Sequence, residues 1–205
     1  MIAIFKRELR AFFVNPIGYV VLAALFGISG FFFFTYNMMG ATANLSNMYS
    51  SLFSVVLLAL PFLTMRLFSE EKRQKTDQAL LTAPTGLTGI VLGKFLATLT
   101  LFVIGLSITL VYAFVIALQT TPDWMMVIGN FLGLTLVGGL IIAIGVFISS
   151  LTESQIIAAI GTLAVSLLLM SVDLLSALFS NVAWMSKVTT FLSVAGRFAD
   201  FTAGL

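Results

Sequence analysis

Residues 17–36 read IGYVVLAALFGISGFFFFTY: twenty consecutive positions without one charged side chain. An α-helix rises about 1.5 Å per residue, so a hydrocarbon core about 30 Å thick needs about 20 apolar residues. This stretch meets that length. Four similar runs follow, at 48–65, 95–118, 127–150 and 156–178. The second is weaker and polar at its start. Barrel strands would be about ten residues long with alternating polarity, whereas these runs are longer and continuous. The whole composition agrees. The 205 residues are 60% hydrophobic and 9% charged, against about 25% charged in an ordinary soluble domain, and the mean hydropathy is +1.14. A soluble globule with such a surface would aggregate. The expected fold is an all-α membrane protein: one domain, 1–205, forming a polytopic transmembrane helix bundle.

The same composition removes whole classes of chemistry. There is no Cys and no His, so disulfides, thiolate chemistry, the usual general base and the commonest transition-metal ligand are out. A net charge of +2 is too small to read as a nucleic-acid signal. The stretch Gly89–Phe95 (GIVLGKF) superficially resembles a phosphate loop. It has one residue too few between its glycines, Phe95 where a hydroxyl must hold magnesium, and no strand before it. No carboxylates, serines or lysines assemble into a hydrolase constellation. Met38–Met39 and Met125–Met126 sit at ends of apolar runs, and thioethers can hold Cu(I), but Met is also ordinary apolar filler.

Basic residues set the expected orientation. Lys6, Arg7 and Arg10 precede the first run, and Arg66, Lys72, Arg73, Lys75 and Lys94 lie between the second and third. That places eight of the ten Lys and Arg on one side, expected to be the cytoplasm. Segments 37–47 and 119–126 carry neither and are expected outside. The turn 151–155 returns to the cytoplasm, and 179–205 forms an outer segment. A cleaved leader fits the N-terminus poorly, because a full span follows a long polar start and no small-x-small site comes after it.

Residues 1–15 read as an interfacial amphipathic helix. At about 100° per residue, Ile2, Phe5, Leu9, Phe12 and Phe13 fall in a stripe about 100° wide, with Lys6, Arg7 and Arg10 beside or opposite it. Asn15–Pro16 should end it. Segment 66–94 holds eight of the eighteen charged residues. Its spacing predicts a helix over 68–81, with Glu70, Glu71, Lys72, Arg73, Lys75 and Asp77 in solvent, Leu80 and Leu81 at an apolar end, and Pro84 breaking it. Thr85 is expected to cap the next helix. Glu153 is expected to cap the fifth span, near whose N-terminus a carboxylate is favoured. Asp173 lies about 26 Å along that span, where an interfacial carboxylate is the plainer reading and the outer mouth of a substrate path the functional one. Gly129/Gly133, Gly139/Ala143 and Gly145/Ser149 are spaced for close helix packing, inside the bundle or between subunits.

A set of short motifs, in order and correctly placed between spans, carries a family resemblance. They are Phe5-Lys6-Arg7-Glu8-Leu9-Arg10 with Asn15-Pro16; Pro61-Phe62-Leu63-Thr64-Met65-Arg66-Leu67; Glu70-Glu71-Lys72-Arg73; Leu80-Leu81-Thr82-Ala83-Pro84; Val91-Leu92-Gly93-Lys94-Phe95; and Ser149-Ser150-Leu151-Thr152-Glu153-Ser154-Gln155. The sequence resembles the permease subunits of ABC-2 type transporters, particularly the gliding-motility permease branch. The resemblance implies an elbow helix at Phe5, Lys6, Arg7 and Arg10. It also implies a coupling helix at Glu70, Glu71, Lys72, Arg73, Leu80, Leu81 and Pro84 that docks on a separate cytoplasmic ATPase. It further implies a second permease chain, identical or not, ATP and magnesium held by the partner ATPase rather than this chain, and residence in the inner membrane. The outer segments are short, so substrate capture is expected to fall to an outward-facing accessory subunit, and the charge distribution puts the N-terminus in the cytoplasm. The family has six spans and five are read here; a missing sixth suggests a fragment or truncated copy, and with it the alternative of a non-transporting scaffold or regulatory subunit. Charge reversal at Glu70 and Glu71 is expected to uncouple ATP hydrolysis from transport without unfolding the bundle. Neither the substrate nor the direction of transport is readable, export being the family's implication.

Overall fold

The computed structural model describes residues 1–75 and 86–178, with Gly196 and Phe198; of 173–178 it describes the backbone helix alone. Helix α1 (Ile2–Val14) ends at Asn15, whose extended backbone (φ −84°, ψ 145°) turns the chain into α2 (Pro16–Phe33) with Pro16 in its first turn. Proline has no N–H to lose there and its φ suits a helix start. α2 continues through a π-helical turn, Phe34–Met38. Then come α3 (Ser46–Thr64), a short α4 (Ser69–Arg73), α5 (Leu87–Leu106), α6 (Ile108–Ala117), α7 (Trp124–Leu151) and α8 (Gln155–Leu178). Five helical stretches are long and apolar enough to cross a membrane: Pro16–Met38, Ser46–Arg73, Leu87–Ala117, Trp124–Leu151 and Gln155–Val172. No strand occurs among the described residues. The molecule is an all-α, multi-pass membrane protein.

α3 is the centre of the bundle. Half of its most apolar window is buried, against 22–39% for the other four spans, and it packs on α2, α7 and α8. That position explains its weak hydropathy. Among its polar residues Tyr49 Oη donates to Thr109 Oγ1 at 3.1 Å, and Ser51 Oγ donates to Tyr36 Oη at 3.2 Å. Lipid is as apolar as leucine, so burying apolar side chains between spans gains little there. Close packing and interhelical hydrogen bonds decide which helices touch.

Glycines set two of these contacts. A Cβ on Gly145 of α7 would overlap the Thr64 side chain of α3, and one on Gly138 would overlap the Phe102 ring of α5. The Gly145/Ser149 pair is therefore used inside the chain. Ala143, by contrast, is exposed.

Two local expectations are corrected, and a third falls outside the described residues. The helix predicted over 68–81 runs only Ser69–Arg73. Lys75 has φ +54°, a left-handed conformation that ends a right-handed helix, and 76–85, with Asp77, lies outside the described residues. α5 has Gly86 at its N-cap position, the Gly86 carbonyl accepting from Gly89 N at 2.9 Å and Ile90 N at 3.3 Å; the side chain of Thr85, expected as the cap, lies outside the described residues. At the start of α8, Ser154 takes the place expected for Glu153. Its hydroxyl accepts from Ile157 N at 3.5 Å while Glu153 is exposed, which matches the strong preference for Ser at helix starts.

Candidate functional site: a charged cluster at the basic end of the bundle

On α1, Ile4, Glu8 and Phe12 recur every four residues and so share one face. Ile4 and Phe12 are buried, and that face lies along α5. The amphipathic stripe is thus partly covered by protein, not by lipid alone. Close approach depends on Gly93, where a Cβ would stand 3.0 Å from Ile4 Cγ2. The next residue, Lys94, is 1% exposed and points into the contact.

A buried ammonium needs partners, and three chain segments supply them. Lys94 Nζ donates to the Leu67 carbonyl at 2.6 Å, and stands 3.0 Å from Glu71 Oε1 on α4 and 3.4 Å from Glu8 Oε1 on α1. It lies 4.9 Å from the centroid of the Phe68 ring, within cation–π reach. Arg7 closes the cluster from the solvent side: its Nη2 is 2.6 Å from Glu8 Oε1 and 2.9 Å from Glu71 Oε1. Burial pulls the Arg7 pKa down, but hydrogen bonding and charge from Glu8, then Glu71, outweigh it and raise the pKa above the ordinary arginine value. Two acids and two bases form a neutral unit joining α1, α4 and α5.

A second tie holds the bend between α3 and α4. Ser149 Oγ, at the end of α7, donates to the Met65 carbonyl at 3.1 Å and accepts from Phe68 N at 3.0 Å and Ser69 N at 3.1 Å. Ser69 Oγ also donates to Met65 O.

A model of the ABC-2 family transporter proteins matches residues 24–199. The chain belongs to this family. It is the membrane permease of an ABC transporter, the subunit that spans the bilayer and not the ATPase. No curated protein and no solved structure matched in the other two comparisons.

Within this permease the residues singled out by sequence fall into three groups. Arg7 and Glu71 are in the cluster. Glu70 stands beside it, with Oε2 3.5 Å from Arg66 Nε; Phe5 and Lys72 are half-buried, and Lys6, Arg10 and Arg73 are exposed. Leu80, Leu81 and Pro84 lie outside the described residues, as does the side chain of Asp173, which is placed only as part of α8. Sequence reasoning missed Glu8 and Lys94 as members of the site. By sequence Lys94 is one of the basic residues that set the orientation; in the structure it is buried in the helix that begins at Leu87 and ion-paired. The available signal was Glu8 sitting midway between two apolar residues at helical spacing.

Proposed function

We propose that this permease couples ATP hydrolysis on a separate cytoplasmic ATPase to translocation, in the direction of export. The observation that carries the reading is the charged cluster: α4, the coupling segment, is ion-paired to both the elbow helix α1 and the third span. ATP and magnesium belong to the partner ATPase. Closure of an ATPase pair would push α4 from the solvent side, where Arg73 and Gln74 are exposed. Lys94 and Arg7 would pass that push to α5 and α1. A second permease chain would complete the pathway, Asp173 would lie at its outer mouth, and an outward-facing accessory subunit would capture substrate. The charge asymmetry supports an inner-membrane location with α1 and α4 in the cytoplasm. The finer likeness to the gliding-motility branch rests on short sequence motifs alone.

Charge reversal at Glu71 is a poor test of coupling, because that side chain holds Lys94 and its loss disturbs the bundle. Glu70, paired only with Arg66 and Gln74 among the described contacts, is the cleaner site. The first experiment is tagged purification in mild detergent with stoichiometry of the co-purifying proteins. A near-equimolar protein bearing a complete phosphate-loop motif is expected, and Glu70→Lys should lower ATP-driven transport per ATP hydrolysed while the complex still assembles. A folded permease that co-purifies with no ATPase would refute the reading in favour of a membrane scaffold.

A further inference from the structure

A helix end leaves carbonyls without partners and a helix start leaves amides without partners. The α3–α4 bend has both within four residues. No α4 residue caps its own start with a side-chain bond; the N-cap is Phe68. The partner comes from a distant segment instead. Ser149, fully buried and 80 residues along the chain from Ser69, spends its one donor on Met65 O and its two lone pairs on Phe68 N and Ser69 N. A hydroxyl has no further hydrogen-bonding capacity. One turn earlier Gly145 admits Thr64 against the α7 backbone, so α7 and α3 are held close just before the bend. α4 also packs against α7 and α8. The coupling segment therefore has two supports of different chemistry: charge toward α1 and α5, and a single neutral hydroxyl toward α7.

We propose that Ser149 is a positioning residue that makes α4 move together with the fourth and fifth spans. Its hydroxyl locks the α3–α4 bend to α7, so a displacement of α4 is delivered to the α7–α8 turn as well as to α1 and α5. This rests on the reading of α4 as the ATPase-facing segment.

The test is hydrogen exchange by mass spectrometry on the permease co-purified with its ATPase in lipid nanodiscs, with and without ATP plus vanadate. In the wild type, peptides covering 65–75 and 147–157 should both change their exchange on nucleotide trapping. Ser149→Ala removes all three hydrogen bonds and should speed basal exchange at 65–75 by at least about five-fold, the scale of a single lost bond, with 130–140 unchanged. In that variant the nucleotide response should persist at 65–75 and vanish at 147–157. Ser149→Cys, similar in shape but a weaker acceptor, should fall between, and supplies the same comparison if the Ala variant assembles poorly. Unchanged basal exchange in the variants would overturn the lock. Faster exchange with an intact nucleotide response at 147–157 would overturn the transmission role, leaving Ser149 purely structural. A wild type with no nucleotide response at either peptide would instead sink the ATP-coupled reading on which the proposal stands.

Discussion

Replacing Lys94 by methionine keeps most of the aliphatic stem and deletes the charge. Three partners are then stranded. Glu71 and Glu8, whose side chains are 20% and 13% exposed, would repel one another with only Arg7 between them, and the Leu67 carbonyl would lose its donor. Breaking a buried ion pair from one side costs about 3–5 kcal/mol, and orphaning a carbonyl about 1–3 kcal/mol. Water can reach the partly exposed acids, which discounts the first figure, so a total of about 3–4 kcal/mol is expected. The assay is equilibrium unfolding in mixed micelles, with Lys94→Met, Glu71→Gln and the double variant forming a cycle. Because the two side chains touch, their effects should not add; a coupling of about 1.5 kcal/mol or more is expected. Further neutralising Glu8, as Glu8→Gln in a triple variant, should recover more, since Arg7 is half exposed and water can solvate it. A loss below about 1 kcal/mol for Lys94→Met, or strict additivity in the cycle, would refute the claim that the cluster holds these segments together.

Further outcomes follow from the packing. Glu70→Gln removes only a partly exposed pair 3.5 Å from Arg66 and should cost less than about 1 kcal/mol in the same unfolding assay. Gly138→Ala should destabilise by about 1–3 kcal/mol, and pairing it with Phe102→Ala should give a loss smaller than the sum, since the ring is what the new methyl overlaps. Asp123 accepts from Met125 N at 3.1 Å and Met126 N at 3.2 Å; Asp123→Ala should cost about 1 kcal/mol and speed amide exchange at those two positions alone. Tyr49→Phe deletes the bond to Thr109 but leaves that hydroxyl donating to Leu106 O at 2.8 Å, so its melting temperature should fall only slightly, by the equivalent of about 1 kcal/mol.

The spans were legible because a bilayer imposes one crude demand, an unbroken apolar run of sufficient length, and five stretches of this sequence meet it. The same crudeness hid the centre. α3 looked like the weakest span because Tyr49, Ser51 and Thr64 lower its hydropathy, yet those groups find partners inside the bundle, and helix order in a membrane is decided there. The site was half legible. Residues 70–73 and the amphipathic start stood out through local charge and periodicity. Lys94 did not, since a lysine near the end of an apolar run obeys the positive-inside rule whether it faces water or three partners. Glu8 and Lys94 are separated by 86 residues, and no local pattern links them. Ser149 was visible as a small packing residue, but its hydroxyl acts on a bend whose position depends on where the helix beginning at Ser69 starts. The sequence points to a longer helix because residues of good helical propensity, Gln74 and Lys75, follow Arg73. The left-handed turn at Lys75 is a tertiary outcome that propensity does not encode.

Why charge on one side of α4 and a neutral hydroxyl on the other? An ion-paired cluster tolerates small displacements, because Coulomb attraction falls slowly with distance. A three-way hydrogen bond does not, because its strength drops steeply with distance and angle. If α4 transmits motion, the charged side should follow it compliantly, carrying α1 and α5, while the hydroxyl side is held rigidly to α7. Exchanging the two chemistries tests this ordering. Lengthening the charged contact with Glu71→Asp should leave the nucleotide response at 147–157 intact and only weaken that of α1. Removing the hydroxyl should abolish the response at 147–157 and leave α1 responsive. Equal attenuation of both responses by either substitution would mean that α4 moves as one rigid unit with the whole bundle, and the distinction between the two supports would fall.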